Sequence, residues 1–192
     1  VIEQVVSGIG NVEHNSILVR YSNDFSIWDL ESVNHYKDQS DIFFTCHEFS
    51  YNKIAEAYEP YLGLIRQMFH RYCSGTLEEF MEECDVYKLQ RPVFESYFEK
   101  GFCERTEQIL IDEVEYEQER MRNSIVTMLQ KLSEIRPVVI VLNRFQLASK
   151  STMQLSNSLL QVKNKNIGIV LGVNDVQSIP EFAHEEWDAI CE

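Results

Sequence analysis

Five consecutive apolar residues, Val138 to Leu142, stand between Pro137 and the polar pair Asn143 and Arg144. No polar residue interrupts the run and most of it is β-branched, the pattern of a strand covered on both faces in a parallel sheet. A second such run, Ile167 to Val173, ends at Asn174 and Asp175, and shorter stretches at Ile17 to Tyr21 and Asp41 to Cys46 predict two earlier strands. Between the strands the spacing turns helical. Ile2, Val5, Val6 and Ile9 predict a short amphipathic helix stopped by Gly8 and Gly10; Ile27, Leu30 and Val33 predict two or three turns. From Ile54 to Ile135 the pattern is helical almost throughout, with Pro60 and Pro92 in first-turn positions and Gly75 and Gly101 at helix ends. The last of these helices is long. Ile109, Leu110 and Val114 form one apolar patch and Met121, Ile125, Met128, Leu129, Leu132 and Ile135 another, with a charged, solvated turn from Glu115 to Arg120 between them. Thr152, Leu155, Leu159 and Leu160 give a further helix, Asn164 to Asn166 a turn, and Phe182, Trp187 and Ile190 a final helix.

This order predicts an α/β fold: a three-layer sandwich around a central, mainly parallel sheet, with residues 54–136 as a large helical insertion between the second and third strands. At 192 residues and 44% apolar, the chain has material for one domain spanning 1–192. Its opening on Val1 and its stop directly after a helical pattern read as a piece of something longer.

Charge narrows the partners. Seventeen basic against 31 acidic residues give a formal net charge of -14, which opposes attraction to phosphate backbones and anionic membranes. No apolar run approaches the roughly 20 residues that cross a bilayer, and no secretory leader is recognisable, so the expected compartment is the cytoplasm. The five cysteines (Cys46, Cys73, Cys84, Cys103, Cys191) are scattered and form no Cys-x-x-Cys pair, which reads as free thiols. Cys46-His47-Glu48 and the pair His70 and Cys73 carry metal-ligand chemistry but lack a second pair at ligand spacing. Asp112, Glu113, Glu115, Glu117 and Glu119 read as a solvated helix face, and the aromatics from Phe94 to Phe102 as helix core. His35 and His184 have no recognisable nucleophile or acid partner.

The place to look for chemistry is the carboxyl edge of the sheet, where open α/β folds bind their ligands. A phosphate-binding loop after the first strand requires G-x-x-x-x-G-K-[ST], so that backbone N–H groups approach phosphate and a lysine neutralises it. The residues at that position, Ser22, Asn23, Asp24, Phe25, Ser26 and Ile27, contain no glycine and no lysine. Gly8-Ile-Gly10 lacks a following lysine, and Lys150-Ser-Thr152 lacks the glycines and follows the wrong strand. At the tip of the Val138 strand a nucleoside triphosphatase needs acids to hold magnesium and orient water. Here Asn143 brings no charge and Arg144 brings the wrong one.

The run from Val138 through Asn143, Arg144, Phe145, Gln146 and Ala148 to Ser151, Leu155, Leu159 and Leu160 resembles the Walker B segment and following helix of the AAA-like STAND ATPases. These occur in maltose-regulator and LuxR-related bacterial transcription activators and fused to cyclases. Ala57-Tyr-Glu-Pro-Tyr-Leu-Gly-Leu-Ile65 resembles the family's Tyr-x-Pro-Phe segment, and Ile169 to Asn174 its sensor-1 strand, with Asn174 as the sensor-like residue. The likeness runs over roughly residues 1–178. The departures fall on the chemistry: Asn143 and Arg144 replace the acids, Leu147 replaces an aromatic, and Ser22 to Ile27 match the phosphate loop by position alone.

The resemblance implies a P-loop NTPase-like domain, catalytically degenerate, acting as a regulatory or oligomerisation module in a multidomain bacterial signalling or transcription-regulatory protein. Its partners would be its own fused domains or other protein subunits, and no cofactor is expected. Any enzymatic output, such as a nucleotide cyclase, would lie in a fused domain. Two alternatives stand beside it. One is a working ATPase with a divergent site, using ATP and magnesium with Asn143 as metal contact and Asn174 as sensor; the other is a protein- or small-ligand-binding module that has taken over the vestigial crevice.

Overall fold

The computed structural model, which describes residues 2–10, 16–21, 41–50, 57–100, 114–162, 164–174 and 184–191, is built on four parallel strands. They are β1 (Ser16–Tyr21), β2 (Phe43–Glu48), β3 (Val138–Asn143) and β4 (Ile167–Asn174), lying side by side in the order β1-β4-β3-β2. The helices are α1 (Ile2–Gly8), α2 (Glu59–Tyr72), α3 (Leu77–Glu83), α4 (Arg91–Lys100), α5 (Val114–Ile135), α6 (Lys150–Val162) and α7 (His184–Cys191). The fold is therefore α/β with an all-parallel sheet among the described residues. The predicted helix over 27–34, the loop positions 22–27, Gly101, Ile109, Leu110, Asp175 and Phe182 lie outside those residues.

β3 and β4 are buried at every position, which is what their uninterrupted apolar runs require of central strands. Alternation along the strands sorts their side chains. Val139 and Val141 of β3 and Val170 of β4 form one cluster with Val5 of α1, and Ile17, Val19, Phe44 and Cys46 of the outer strands pack against it. At about 1.5–3 kcal/mol for each fully buried side chain of this size, the cluster is a principal reason α1 stays on the sheet. Gly10, at φ +94°, turns the chain out of α1, and its N–H donates to the Lys165 carbonyl at 2.7 Å.

Strand ends depart from the hydrophobic runs, most clearly in β2 and β3. β2 begins two residues later than Asp41 and continues past Cys46 to Glu48, because its ladder with β3 runs from the Phe43–Val138 pair to the Glu48–Asn143 pair. β3 likewise includes Asn143. Backbone pairing, not apolarity, sets both ends, so polar side chains are carried on the last rung of the ladder.

The chain divides into two compact units, residues 1–59 with 133–192, and residues 60–132. The first holds the sheet. In it, Ser149 accepts from the Thr152 N–H at 3.3 Å and so caps the start of α6, while Pro137 separates α5 from β3. The second unit is helical. Phe69 meets Phe80 and Phe98 with ring centroids 5.2 and 5.6 Å apart, and Phe94, Met128 and Leu129 are buried with them. Of the turn from Glu115 to Arg120 that the sequence predicts to be solvated, Glu115, Tyr116, Gln118 and Glu119 are exposed, whereas Glu117 and Arg120 are half-buried, Glu117 accepting from Gln90 Nε2 at 3.3 Å. Among the described residues no helix is long and apolar enough to cross a membrane.

Candidate functional site at the carboxyl edge of the sheet

Parallel strands bring all their carboxyl ends to one edge, and here every strand ends on a side chain with polar chemistry: Tyr21, Glu48, Asn143 and Asn174. The register pairs Tyr21 with Asn174 and Glu48 with Asn143. Counting by twos from the α1-facing cluster puts all four on that same face.

Asn143 is the centre of the group. Its side chain is 1% exposed, and its Oδ1 accepts a hydrogen bond from the Tyr21 hydroxyl at 2.6 Å. Its Nδ2 is buried and has no hydrogen-bond partner. Leaving such a donor unsatisfied costs about 1–3 kcal/mol. The Asn143 carbonyl, by contrast, accepts from the Phe49 N–H at 3.1 Å.

Arg144 leaves the strand in the left-handed region, at φ 52° and ψ 43°, as the cap of a single 3-10 turn over Phe145–Leu147. For a residue with a Cβ this conformation costs roughly 1–2 kcal/mol. Neighbouring rings hold the turn: Phe145 is fully buried and lies 6.2 Å from Phe49 and 6.4 Å from Trp187, centroid to centroid. The guanidinium Nε of Arg144 pairs with a Glu48 carboxylate oxygen at 3.3 Å, both side chains being about a third exposed at 32% and 29%. Burial pushes the Tyr21 phenol above its ordinary range, against the opposing pull of the Arg144 N–H and guanidinium, so the hydroxyl stays protonated and available to donate at neutral pH. On the far side, Gln146, fully buried, accepts from the Asn174 backbone N–H at 3.4 Å and ties the turn after β3 to the end of β4.

Of the site residues expected from sequence, Asn143 and Arg144 lie together, and Asn174 lies on the same face and edge. Ser22, Asn23, Asp24, Phe25, Ser26 and Ile27 fall outside the described residues. Sequence reasoning passed over Tyr21 and weighed Glu48 only as a metal donor beside Cys46 and His47. Each is the last residue of a strand ending at this edge; for Tyr21 that position was the available signal, whereas Glu48 lies beyond the apolar run that predicts β2.

The other candidates separate in space. His47 lies on the opposite face of β2 from Cys46 and Glu48 by strand alternation, and its ring packs on Phe49 at 4.6 Å. His70 is exposed on α2, with its ring 5.7 Å from Phe69. Cys84 is buried, and desolvation pushes its thiol up to about 12, far from a reactive thiolate at neutral pH. Among the described residues no group of three or more His, Cys, Asp or Glu side chains is arranged to hold a metal ion.

No family model matches the chain, and neither a curated protein nor a solved structure is significantly similar to it.

Proposed function

We propose that the sheet unit is a P-loop NTPase-like domain whose nucleotide chemistry has decayed, serving as a regulatory or oligomerising module of a larger bacterial signalling or transcription-regulatory protein. In this reading the sheet is the middle of a three-layer sandwich and residues 54–136 are an insertion in it. A phosphate loop, a metal-holding strand tip and a sensor must converge on one nucleotide, so their strands have to be neighbours with carboxyl ends together. The order β1-β4-β3 supports that assignment, since it sets the strand before Ser22, the strand of Asn174 and the strand of Asn143 side by side.

The observation that carries the decay is the state of the β3 tip. Where the reaction needs carboxylates to hold magnesium, Asn143 accepts from Tyr21 and Arg144 is paired with Glu48. The one carboxylate in the group is thus engaged by a cation of the same chain. Hydrolysis would have to begin by breaking that pair and placing Mg²⁺ beside a guanidinium.

Thermal unfolding with and without millimolar Mg-ATP tests the reading. A native state that bound Mg-ATP with the ligand at 100 times its Kd would gain about 2.7 kcal/mol. The expected result is no shift in Tm; a saturable rise would show that the domain still takes a nucleotide and would count against the decay.

A further inference from the structure

Two costly features meet at the β3 tip without serving stability: the orphan Nδ2 donor of Asn143 and the left-handed backbone of Arg144. Buried polar atoms are almost always paired, and backbone strain that persists in a packed fold gathers at ligand sites. They are adjacent in the chain, they sit at the carboxyl edge where α/β sheets take ligands, and the Glu48–Arg144 pair beside them is partly open to solvent. We infer that this tip binds a neutral amide group, a carbonyl acceptor with an adjacent N–H donor. The inference rests on the reading above in one respect, that the crevice no longer takes a nucleotide.

The chemistry of the donors selects the ligand. Asn143 Nδ2 offers N–H groups and calls for an acceptor. One strand away, at the register position of Asn143 and on the same face, Glu48 presents a carboxylate that accepts N–H. Adjacent parallel strands lie about 4.8 Å apart, a gap that a planar amide can bridge with its oxygen toward Asn143 and its nitrogen toward Glu48. An anion fits less well: it would satisfy Asn143 but meet the Glu48 carboxylate in a chain of formal charge -14. Tyr21 fixes the carboxamide orientation, because its hydroxyl occupies Oδ1 and leaves Nδ2 as the group without a partner.

The test follows the side-chain amide resonances of Asn143 in ¹H–¹⁵N spectra of the full 192-residue chain, identified by their loss in Asn143→Asp. Acetamide represents a primary carboxamide, N-methylacetamide a peptide backbone, acetate an anion, and Mg-ATP the nucleotide. A saturable shift of the Asn143 pair with acetamide or N-methylacetamide supports the proposal, and the stronger of the two says whether a side-chain-type or a backbone-type amide is preferred. Glu48→Gln keeps the Asn143 signal in view and should weaken that binding at least fivefold; an unchanged midpoint would overturn the two-point recognition. No saturable shift with either amide, or a saturable shift with acetate alone, overturns the proposal. A response to Mg-ATP instead would overturn the decayed-nucleotide reading, and is seen in a separate titration.

Discussion

Tyr21 and Asn143 lie 122 positions apart in the chain, yet the tyrosine hydroxyl donates to the carboxamide Oδ1 at 2.6 Å. β4 runs between their strands, so the contact crosses about 9.6 Å of sheet. One residue past the Leu142–Leu171 pair, β4 carries Gly172, so no β4 side chain stands on that face at the level of Asn143. The bond joins an outer strand to a central one by side chains, over and above the backbone ladder.

That geometry sets up a mutant cycle. Tyr21→Phe keeps the ring and strips the carboxamide of its remaining partner, which should cost about 1–3 kcal/mol. Asn143→Leu in the Tyr21→Phe background removes the unpaired amide as well, and the double variant should recover most of the loss, because apolar replacement of both members of a buried polar pair is close to neutral. Urea midpoints at constant slope measure all three variants. If the double variant costs as much as the two singles added, the pair is not coupled and the bond has no part in holding β1 to the sheet.

Arg144 gives a comparison whose sign is opposite to the ordinary one. Replacing it by alanine or by glycine removes the ion pair with Glu48 equally, a loss of about 0–1 kcal/mol for a pair this exposed. The two variants then differ only in backbone. At φ 52° the alanine keeps the Cβ penalty and the glycine does not, so Arg144→Gly should be the more stable by roughly 1 kcal/mol even after its greater unfolded-state freedom is counted. Equal stability, or alanine ahead, would mean that the turn relaxes to another conformation.

How much of this was legible in the sequence depends on how local its cause is. β3 and β4 announce themselves because covering both faces leaves no room for a polar residue, and the helices of the second unit follow from their apolar spacing. The strand order does not announce itself: that β4 inserts between β1 and β3 depends on contacts over more than a hundred residues. The place of Glu48 at the end of β2 was hidden for a simpler reason. The apolar stretch of β2 stops at Cys46, whereas the ladder with β3 carries two more residues. Nor does an arginine signal a left-handed backbone, as a glycine or asparagine at position 144 would have done. Asn143 reads in the sequence as standing where an ATPase needs acids, but its bond to Tyr21 and its orphan donor are tertiary facts.

A pH dependence resides at the start of α3. Thr76 accepts from the Glu79 N–H at 3.2 Å while the Glu79 carboxylate accepts from the Thr76 N–H at 2.8 Å, a reciprocal capping box. The Thr76 backbone N–H, followed by the Thr76 side chain, holds the Glu79 carboxyl below its ordinary range. A carboxyl depressed in the folded state contributes stability above its unfolded pKa and loses it as pH falls through the folded one. Amide exchange in the first turn of α3 should therefore accelerate, relative to the rest of the helix, as pH drops below the ordinary glutamate range. Thr76→Ala should cost about 1 kcal/mol at neutral pH, and Glu79→Gln should flatten the pH response. An exchange ratio that does not change with pH would mean that the carboxylate takes no part in the cap.

Restoring the acids at the β3 tip is the sharpest perturbation of the proposed function. Asn143→Asp with Arg144→Asp deprives Glu48 of its cation and sets two new carboxylates beside it, on neighbouring register positions of β2 and β3 and in the turn that follows. Like charges this close repel, so the double variant should unfold at a lower Tm than the parent at low ionic strength. The same cluster of hard oxygen ligands suits a divalent cation, so millimolar Mg²⁺ should raise the Tm of the variant while leaving that of the parent unchanged. ATP hydrolysis should stay at background even then, because Ser22 to Ile27 supply neither the glycines nor the lysine that phosphate requires. Turnover in the variant would show that some other group holds the phosphates, and would favour a divergent ATPase over the decayed one proposed.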